Sequence, residues 1–406
     1  MSRDTIFYTG GFNFPDRDAG SKRVLGNGQA LRDGGFTVVF AGTEESARPE
    51  DRQEDGTFAY RGFRYLPDTG RAAPRWLRRA RRVVVTHLGG VTAMRRLRTI
   101  SPECLRAVIV YNGSSLLLAQ LLAFGRRHEV PIIADTSEWY DPCQIDWGRL
   151  SPLWLDSSIR MGVMLRKVGN VIAISSLLQD HYARASCHVL RVPPLVDLED
   201  ADQYRQAVPA SVGTAAPLQL AYAGVPGKKD LIGNAIRALD LLGEAARDVR
   251  LTLIGPTADE IRRLLGADGT LLDTHAERIL CCGRKTHAEA LALTAGADFT
   301  VLLRPDARFS RAGFSTKFVE SLSLGVPVIA NLTGDIGVYL TEGQEGIVLA
   351  AATPTACRDG IQRLLAMPRG LWRGMRAQAR AAAERSFAYA RFTDPLRAFV
   401  EEARIG

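Results

Sequence analysis

Residues 298–330 read DFTVLLRPDARFSRAGFSTKFVESLSLGVPVIA. An apolar run at 298–303 opens into a polar loop carrying Arg304, Arg308 and Arg311. A segment with helical spacing of apolar residues, Phe318 to Leu324, follows and ends at Gly325. A second apolar run, 326–330, comes at once. Both runs are apolar without alternation, which predicts strands of a parallel sheet covered on both faces. Lys317 and Glu320 stand three residues apart at the start of the intervening helix, just ahead of a core strand.

The same rhythm runs through the chain. In the first half the predicted strands are 5–10, 36–42, 63–66, 107–112, 130–135, 170–174 and 188–192, with helical periodicity at Arg23 to Asp33 and Leu116 to His128 between them. Residues 193–216 are rich in proline, acids and small residues without an apolar period, and read as a hinge. Strands then resume at 218–223, 249–254, 279–282, 298–303, 326–330 and 346–349. Helices fit the intervals, at Leu231 to Leu242, Ala258 to Leu265 and His287 to Ala295. The expected architecture is α/β, with two doubly wound Rossmann-like domains facing a cleft. The N-terminal domain is expected over 1–195, a linker over 196–216 and the C-terminal domain over 217–385. Ligands of such sheets bind beyond the carboxyl ends of the strands.

Composition agrees with globular domains: of 406 residues, 46% are hydrophobic and 24% charged. The first residues, MSRDTIFYTGGF, lack the pattern of a secretory signal, and no apolar stretch is long enough to span a bilayer. Six scattered cysteines without CxxC spacing read as reduced thiols, hence a cytoplasmic chain. The net charge of +8 is concentrated: from Arg71 to Arg98 there are nine arginines and no acid, interrupted by Trp76, Leu77, a valine run and Leu88. Such a segment suits an anionic membrane surface as well as a solvated helix, and the peripheral expectation is the inner face of the plasma membrane. Without zinc spacing or an aromatic stacking pattern, no nucleic-acid partner is expected.

Several loops after predicted strands carry chemistry. GVPGKKD, Gly224 to Asp230, has glycines that let backbone approach a ligand and, in Lys228 and Lys229, charge for a phosphate; a turn with solvated lysines is the plain alternative. Arg304, at a strand's end, suits a diphosphate. Lys317 suits a phosphate and Glu320 the two hydroxyls of a ribose, although an exposed ion pair on a helix has the same spacing.

GFSTKFVESLSLGVPVIA (313–330), TGGF (9–12), VPPLVD (192–197) and LIGPT (253–257) together resemble segments of the family 4 retaining glycosyltransferases, which have the GT-B fold. The likeness extends from residue 5 to about residue 395. It implies that Glu320 is the second glutamate of the family's pair and holds the nucleotide ribose. It makes Lys229 the phosphate lysine, and Gly10 and Gly11 the loop that approaches the donor diphosphate. It also implies that 386–406 returns to the first domain. The chain departs from the family where the first glutamate falls on Ala312, where the phosphate arginine falls near Ala223 or Gly224, and where a cleft histidine is replaced by Glu138 in DTSEW (135–139). Lys317 and Arg304 are candidates for the missing charge. Glu138 reads either as a group that orients or deprotonates the acceptor hydroxyl, or as a carboxylate at a helix start.

These readings give a catalytic set of Glu138, Lys229 and Lys317. The donor set is Gly10, Gly11, Gly224, Lys228, Arg304, Phe314, Ser315, Thr316 and Glu320. The acceptor set is Arg17, Lys22, Arg23, Asn112, Asp135 and Trp139. The expected activity is transfer of a sugar, with retention and without a metal or other cofactor, from a UDP- or GDP-linked sugar. The acceptor is a saccharide or lipid-linked saccharide, which fits assembly of a bacterial surface polysaccharide. A nucleotide-sugar epimerase of the same fold and a non-catalytic nucleotide-sugar-binding subunit are the alternatives.

Overall fold

The computed structural model describes residues 3–406 apart from 17, 44–47, 69–89, 146, 208–215 and 228. Lys228, Arg17 and most of the segment Arg71–Arg98 therefore lie outside the described residues. The chain divides into two compact units, Met1–Leu195 with Tyr389–Gly406, and Val196–Ala388.

The first unit is built on an eight-stranded sheet in the order β3-β4-β2-β1-β5-β6-β7-β8. Its strands are β1 (Thr5–Gly10), β2 (Thr37–Ala41), β3 (Phe58–Tyr60), β4 (Phe63–Tyr65), β5 (Leu105–Tyr111), β6 (Ile132–Thr136), β7 (Asn170–Ala173) and β8 (His188–Arg191). All pairings are parallel except β3 with β4. That hairpin turns through Arg61 and Gly62, both at positive φ as a two-residue hairpin turn requires. The sequence reading finds only its second strand, because β3 is too short to show a period. Aromatic rings fill the core beside β1 and β2, with Phe14 stacked on Phe40 at 4.5 Å and Tyr8 5.7 Å from Phe40. The helix Thr393–Glu401 covers this unit with buried Leu396, Phe399 and Val400.

The second unit holds a six-stranded sheet, order β11-β10-β9-β12-β13-β14, parallel throughout. Its strands are β9 (Leu218–Ala223), β10 (Val249–Ile254), β11 (Ile279–Gly283), β12 (Phe299–Leu302), β13 (Val328–Asn331) and β14 (Gly346–Leu349). Helices start on sequence-encoded caps: Thr257 with Glu260 and Thr286 with Glu289 each form a reciprocal capping box. The unit opens with a helix, Leu198–Ala207, where the composition reads as a linker. Few apolar residues mark its period. Tertiary contacts hold it: Ala201 is buried and Asp202 pairs with Arg380 at 2.8 Å, while Glu199 and Asp200 favour the helix start.

One buried ionic network corrects the acceptor set. Arg23, on the helix Ala19–Asp33, donates from Nε (2.9 Å) and Nη2 (2.6 Å) to Asp135 of β6, and from Nη1 (2.9 Å) to the Val192 carbonyl. Tyr8 of β1 donates its hydroxyl to Asp135 Oδ2 at 2.5 Å, and Asn27 donates to Tyr8 at 3.0 Å. Burial opposes the guanidinium charge, yet Asp135 outweighs it and raises the Arg23 pKa above its ordinary value. Both side chains are closed off from solvent by this pairing, so Arg23 and Asp135 hold the sheet to its helix and meet no acceptor. Removing one partner leaves the other charge buried alone, at a cost of about 3–5 kcal/mol. Arg23→Met is therefore expected to lower the chemical-denaturation stability of this unit by that amount. Replacing the exposed Arg95 with Met should change it by less than about 0.5 kcal/mol.

Candidate functional site

In the second unit the chain leaves β9 to one side for β10 and β11, and β12 to β14 lie on the other. The connections therefore part between the carboxyl ends of β9 and β12, the place where open parallel sheets take ligands. Gly224 follows β9 directly with φ +139°, and its N–H donates to the Ile254 carbonyl at 2.8 Å. The next loop is laced to its neighbour in the same way, from Gly255 N–H to the Gly283 carbonyl at 3.0 Å.

Lys317 crosses this point. A Cβ built on Gly224 would lie 2.2 Å from Lys317 Cε, so the lysine stem lies directly over the glycine backbone. Its ammonium donates to Asp230 Oδ2 at 2.9 Å and sits 5.4 Å from the centre of the Tyr222 ring. Tyr222 donates its hydroxyl to the same carboxylate oxygen at 3.1 Å. Burial first, then Asp230, hold the Tyr222 hydroxyl protonated far above the ordinary range, while the Arg304 charge pulls the other way. Of the ion pair, the lysine side chain is 29% exposed and the aspartate 10%. The ammonium thus has a fixed anchor and an open side.

The helix Thr316–Ser323 carries Lys317 and Glu320. Phe318, Val319 and Leu322 bury one face, and Ser321 locks it by meeting Thr300 Oγ1 of β12 at 2.6 Å and donating to the Val326 carbonyl at 2.7 Å. Glu320 remains partly exposed, with Oε1 3.9 Å from Nε2 of His287, the first residue of the helix His287–Ala295. Lys229 lies partly exposed in the loop with Gly224. Ser315 precedes the helix as a buried N-cap residue whose side chain makes no cap bond, and Thr316 is its first residue.

Phe314 has a different place from the one expected. It is buried among Phe318, Tyr339 and Phe387, at ring distances of 5.9, 5.6 and 5.8 Å, and its packing accounts for it. Arg304 is buried, and the Asn331 side chain clasps its backbone, accepting from its N–H (3.0 Å) and donating to its carbonyl (2.9 Å). With Asp306, Asn331, Leu332 and 348–352 it lines a cavity of about 510 Å³ beyond β12, β13 and β14. Ala312, where the resemblance puts a sugar-contacting acid, is fully buried.

In the first unit Gly10 ends β1 with φ +129°, and a Cβ there would fall 2.0 Å from the Tyr111 carbonyl oxygen. Gly11 donates to that oxygen at 2.8 Å. This close approach brings the loop against the end of β5, the neighbour across which this sheet reverses its order. Asn112 and Ser137 lie beside it, with Asn112 Nδ2 donating to Ser137 Oγ (2.8 Å) and Ser137 Oγ to the Tyr111 hydroxyl oxygen (2.8 Å). Glu138 accepts a hydrogen bond from Tyr140; burial first, then Glu138, push both Tyr140 and Tyr111 above their ordinary pKa. Trp139 packs edge-on to His181, 4.7 Å between centroids, and Lys22 is partly exposed on the first turns of its helix.

Asp230, Tyr222 and His287 are absent from the sequence-derived sets. Asp230 reads as an ordinary acid at a helix start, and its partner Lys317 is 87 residues away. Among the described residues, no three His, Cys, Asp or Glu side chains gather as a metal site would need.

Residues 219–367 match the family model described as Glycosyl transferases group 1. No sequence among curated proteins matches the chain. Solved structures align over nearly the whole length. Sucrose-phosphate synthase from Thermosynechococcus elongatus aligns with a TM-score of 0.69 at 16% identity, covering 98% of this chain and 99% of that one. HepE from Anabaena in complex with UDP-glucose gives 0.65 at 14%, with the same coverage. The α,α-trehalose 6-phosphate synthase of Burkholderia multivorans gives 0.66 at 15%, covering 99% of this chain and 98% of that one.

Gly224→Ala tests the site's floor. The added methyl meets the Lys317 stem and forces a left-handed backbone, a strain of about 1–3 kcal/mol. Chemical denaturation should show the second unit less stable than wild type by about that amount.

Proposed function

We propose that the chain, whose two α/β units have the architecture of GT-B glycosyltransferases, moves a sugar from a nucleotide-diphosphate sugar to a saccharide acceptor. The observation that carries this reading is the Lys317 ammonium, fixed over the Gly224 backbone where the connections part, in the unit that the group 1 family model covers. UDP and UDP-glucose occupy HepE, a structural neighbour, which supports a uridine donor here.

The donor diphosphate lies over Gly224, with Lys317 and Lys229 as its cations. Glu320 accepts from the ribose hydroxyls. As the bond from the anomeric carbon to the diphosphate oxygen breaks, negative charge grows on the departing group. Fixed cations stabilise that charge more than the ground state, which lowers the barrier. The acceptor hydroxyl attacks from the side the diphosphate leaves, and its proton passes to the leaving oxygen. Configuration is thereby retained with no protein nucleophile, and the lysines take the place of a metal. Glu138 orients the acceptor hydroxyl. The acceptor class is a saccharide, lipid-linked at the inner face of a plasma membrane, as in surface polysaccharide assembly.

A second reading has one observation in its favour. Buried Ala312 removes the acid that would position the transferred sugar, as in a subunit that binds nucleotide sugar without turning it over.

Thermal shift with UDP, GDP, ADP, CMP and dTDP, followed by transfer from the matching sugar nucleotide, separates the readings. At 100 times its dissociation constant, UDP should stabilise the second unit by about 2.7 kcal/mol. Lys317→Ala should lower kcat/KM by about 10²–10³-fold. A shift without transfer to any saccharide supports the binding subunit. No shift with any nucleotide contradicts both readings.

A further inference from the structure

Unit 1 exposes large apolar side chains in one short segment. Trp147 is 82% exposed, Leu150 89%, Leu155 55%, Ile159 42% and Val163 47%. The last three lie on a continuous helical rod made of Pro152–Ile159, the π turn Arg160–Met164 and Leu165–Val168. Its opposite face is buried through Ser157, Arg160, Met161, Met164, Leu165 and Val168.

The π turn aligns the stripe. In a regular α-helix a repeat of four residues drifts by about 40° at each step. Here the Leu165 N–H donates to the Arg160 carbonyl, five residues back. The wider turn offsets the drift and keeps Leu155, Ile159 and Val163 in one row. Such turns frequently occur at functional sites. Trp147 has φ +67°, a backbone region rarely taken by a bulky residue, and its ring is held out in solvent.

Charge decides the occupant. Among the described residues from Trp147 to Lys167, the exposed cations are Arg149, Arg166 and Lys167, and none of the exposed residues is acidic. The acid of the segment, Asp156, is partly buried and accepts the Ser115 N–H at 2.9 Å. Cations thus stand at both ends of an apolar row. A second copy of the chain placed on the stripe about a two-fold axis would set cation against cation in either direction, and none of the described exposed residues of the stripe is an acid that could meet them. An anionic bilayer surface satisfies both features: the apolar row enters the acyl boundary and the cations meet lipid phosphates. No described helix is long and apolar enough to cross a membrane, so this rod lies in the surface plane.

We propose that the stripe from Trp147 to Lys167 docks the protein on anionic lipid. This stands apart from the nucleotide site, since none of its residues belongs to that site. It also differs from the arginine-rich segment: Arg96 donates to the Leu66 and Gly42 carbonyls and packs into the unit.

Flotation of the full chain with vesicles of phosphatidylglycerol and phosphatidylcholine, against phosphatidylcholine alone, tests the proposal. Wild type should float with the anionic vesicles and fall away as salt rises. Leu150→Asp with Leu155→Asp and Ile159→Asp should abolish flotation while the melting temperature and the UDP shift are kept. Arg149→Gln with Arg166→Gln and Lys167→Gln leaves the apolar row intact and should weaken partition on the order of 100-fold, from about 1 kcal/mol for each cation. Wild type failing to bind anionic vesicles would overturn the proposal. So would undiminished binding by both triple variants, or a dimer in sedimentation velocity that the aspartate variant dissolves.

Discussion

A parallel sheet whose strand order reverses must leave a gap above two neighbouring carboxyl ends, because the connections on either side run away from each other. In the second unit those strands are β9 and β12. The placement of Gly224, Lys317 and Glu320 follows from that constraint. Gly224 turns the chain out of β9 at a φ that suits glycine, and the bare backbone leaves room for a lysine stem. The helix after β12 is pinned by Ser321 to Thr300 and to the Val326 carbonyl. That pin points Lys317 back over the gap and leaves Glu320 near His287.

Two ion pairs show how one kind of interaction serves different ends. Arg23 and Asp135 are closed on all sides, joined by Tyr8 and Asn27, and the rigid guanidinium fork binds in a fixed geometry. That pair joins strands and helix in the first unit. Lys317 and Asp230 are paired at similar length but on the edge of solvent, and the lysine is a flexible point charge. An anion can meet such an ammonium from its open side without unfolding anything. The structural pair is saturated, whereas the pair at the gap is open on one side.

Much of this was legible in the residues. Uninterrupted apolar runs announce buried parallel strands, and glycines directly after them mark the loops that approach a ligand. The helix start with Lys317 and Glu320 stands out because few charges lie so close to a core strand. What was hidden depends on distance along the chain. Nothing near Arg23 reveals that Asp135 faces it from 112 residues away, so a basic residue soon after the first strand reads as a ligand group. Phe314 reads as part of a binding loop until Tyr339 and Phe387 are seen to enclose it. The row at 155, 159 and 163 has ordinary helical spacing, so in the sequence it looks like any core-facing stripe, and only the fold shows it exposed.

We propose that Lys317, anchored on Asp230, turns its open side to the phosphate of a bound nucleotide. A crystal structure with UDP should place the β-phosphate within hydrogen-bond reach of Lys317 Nζ, at about 2.7–3.2 Å, with Glu320 on the ribose hydroxyls. A nucleotide bound elsewhere, or one bound while Lys317 stays on Asp230 without touching phosphate, would contradict it.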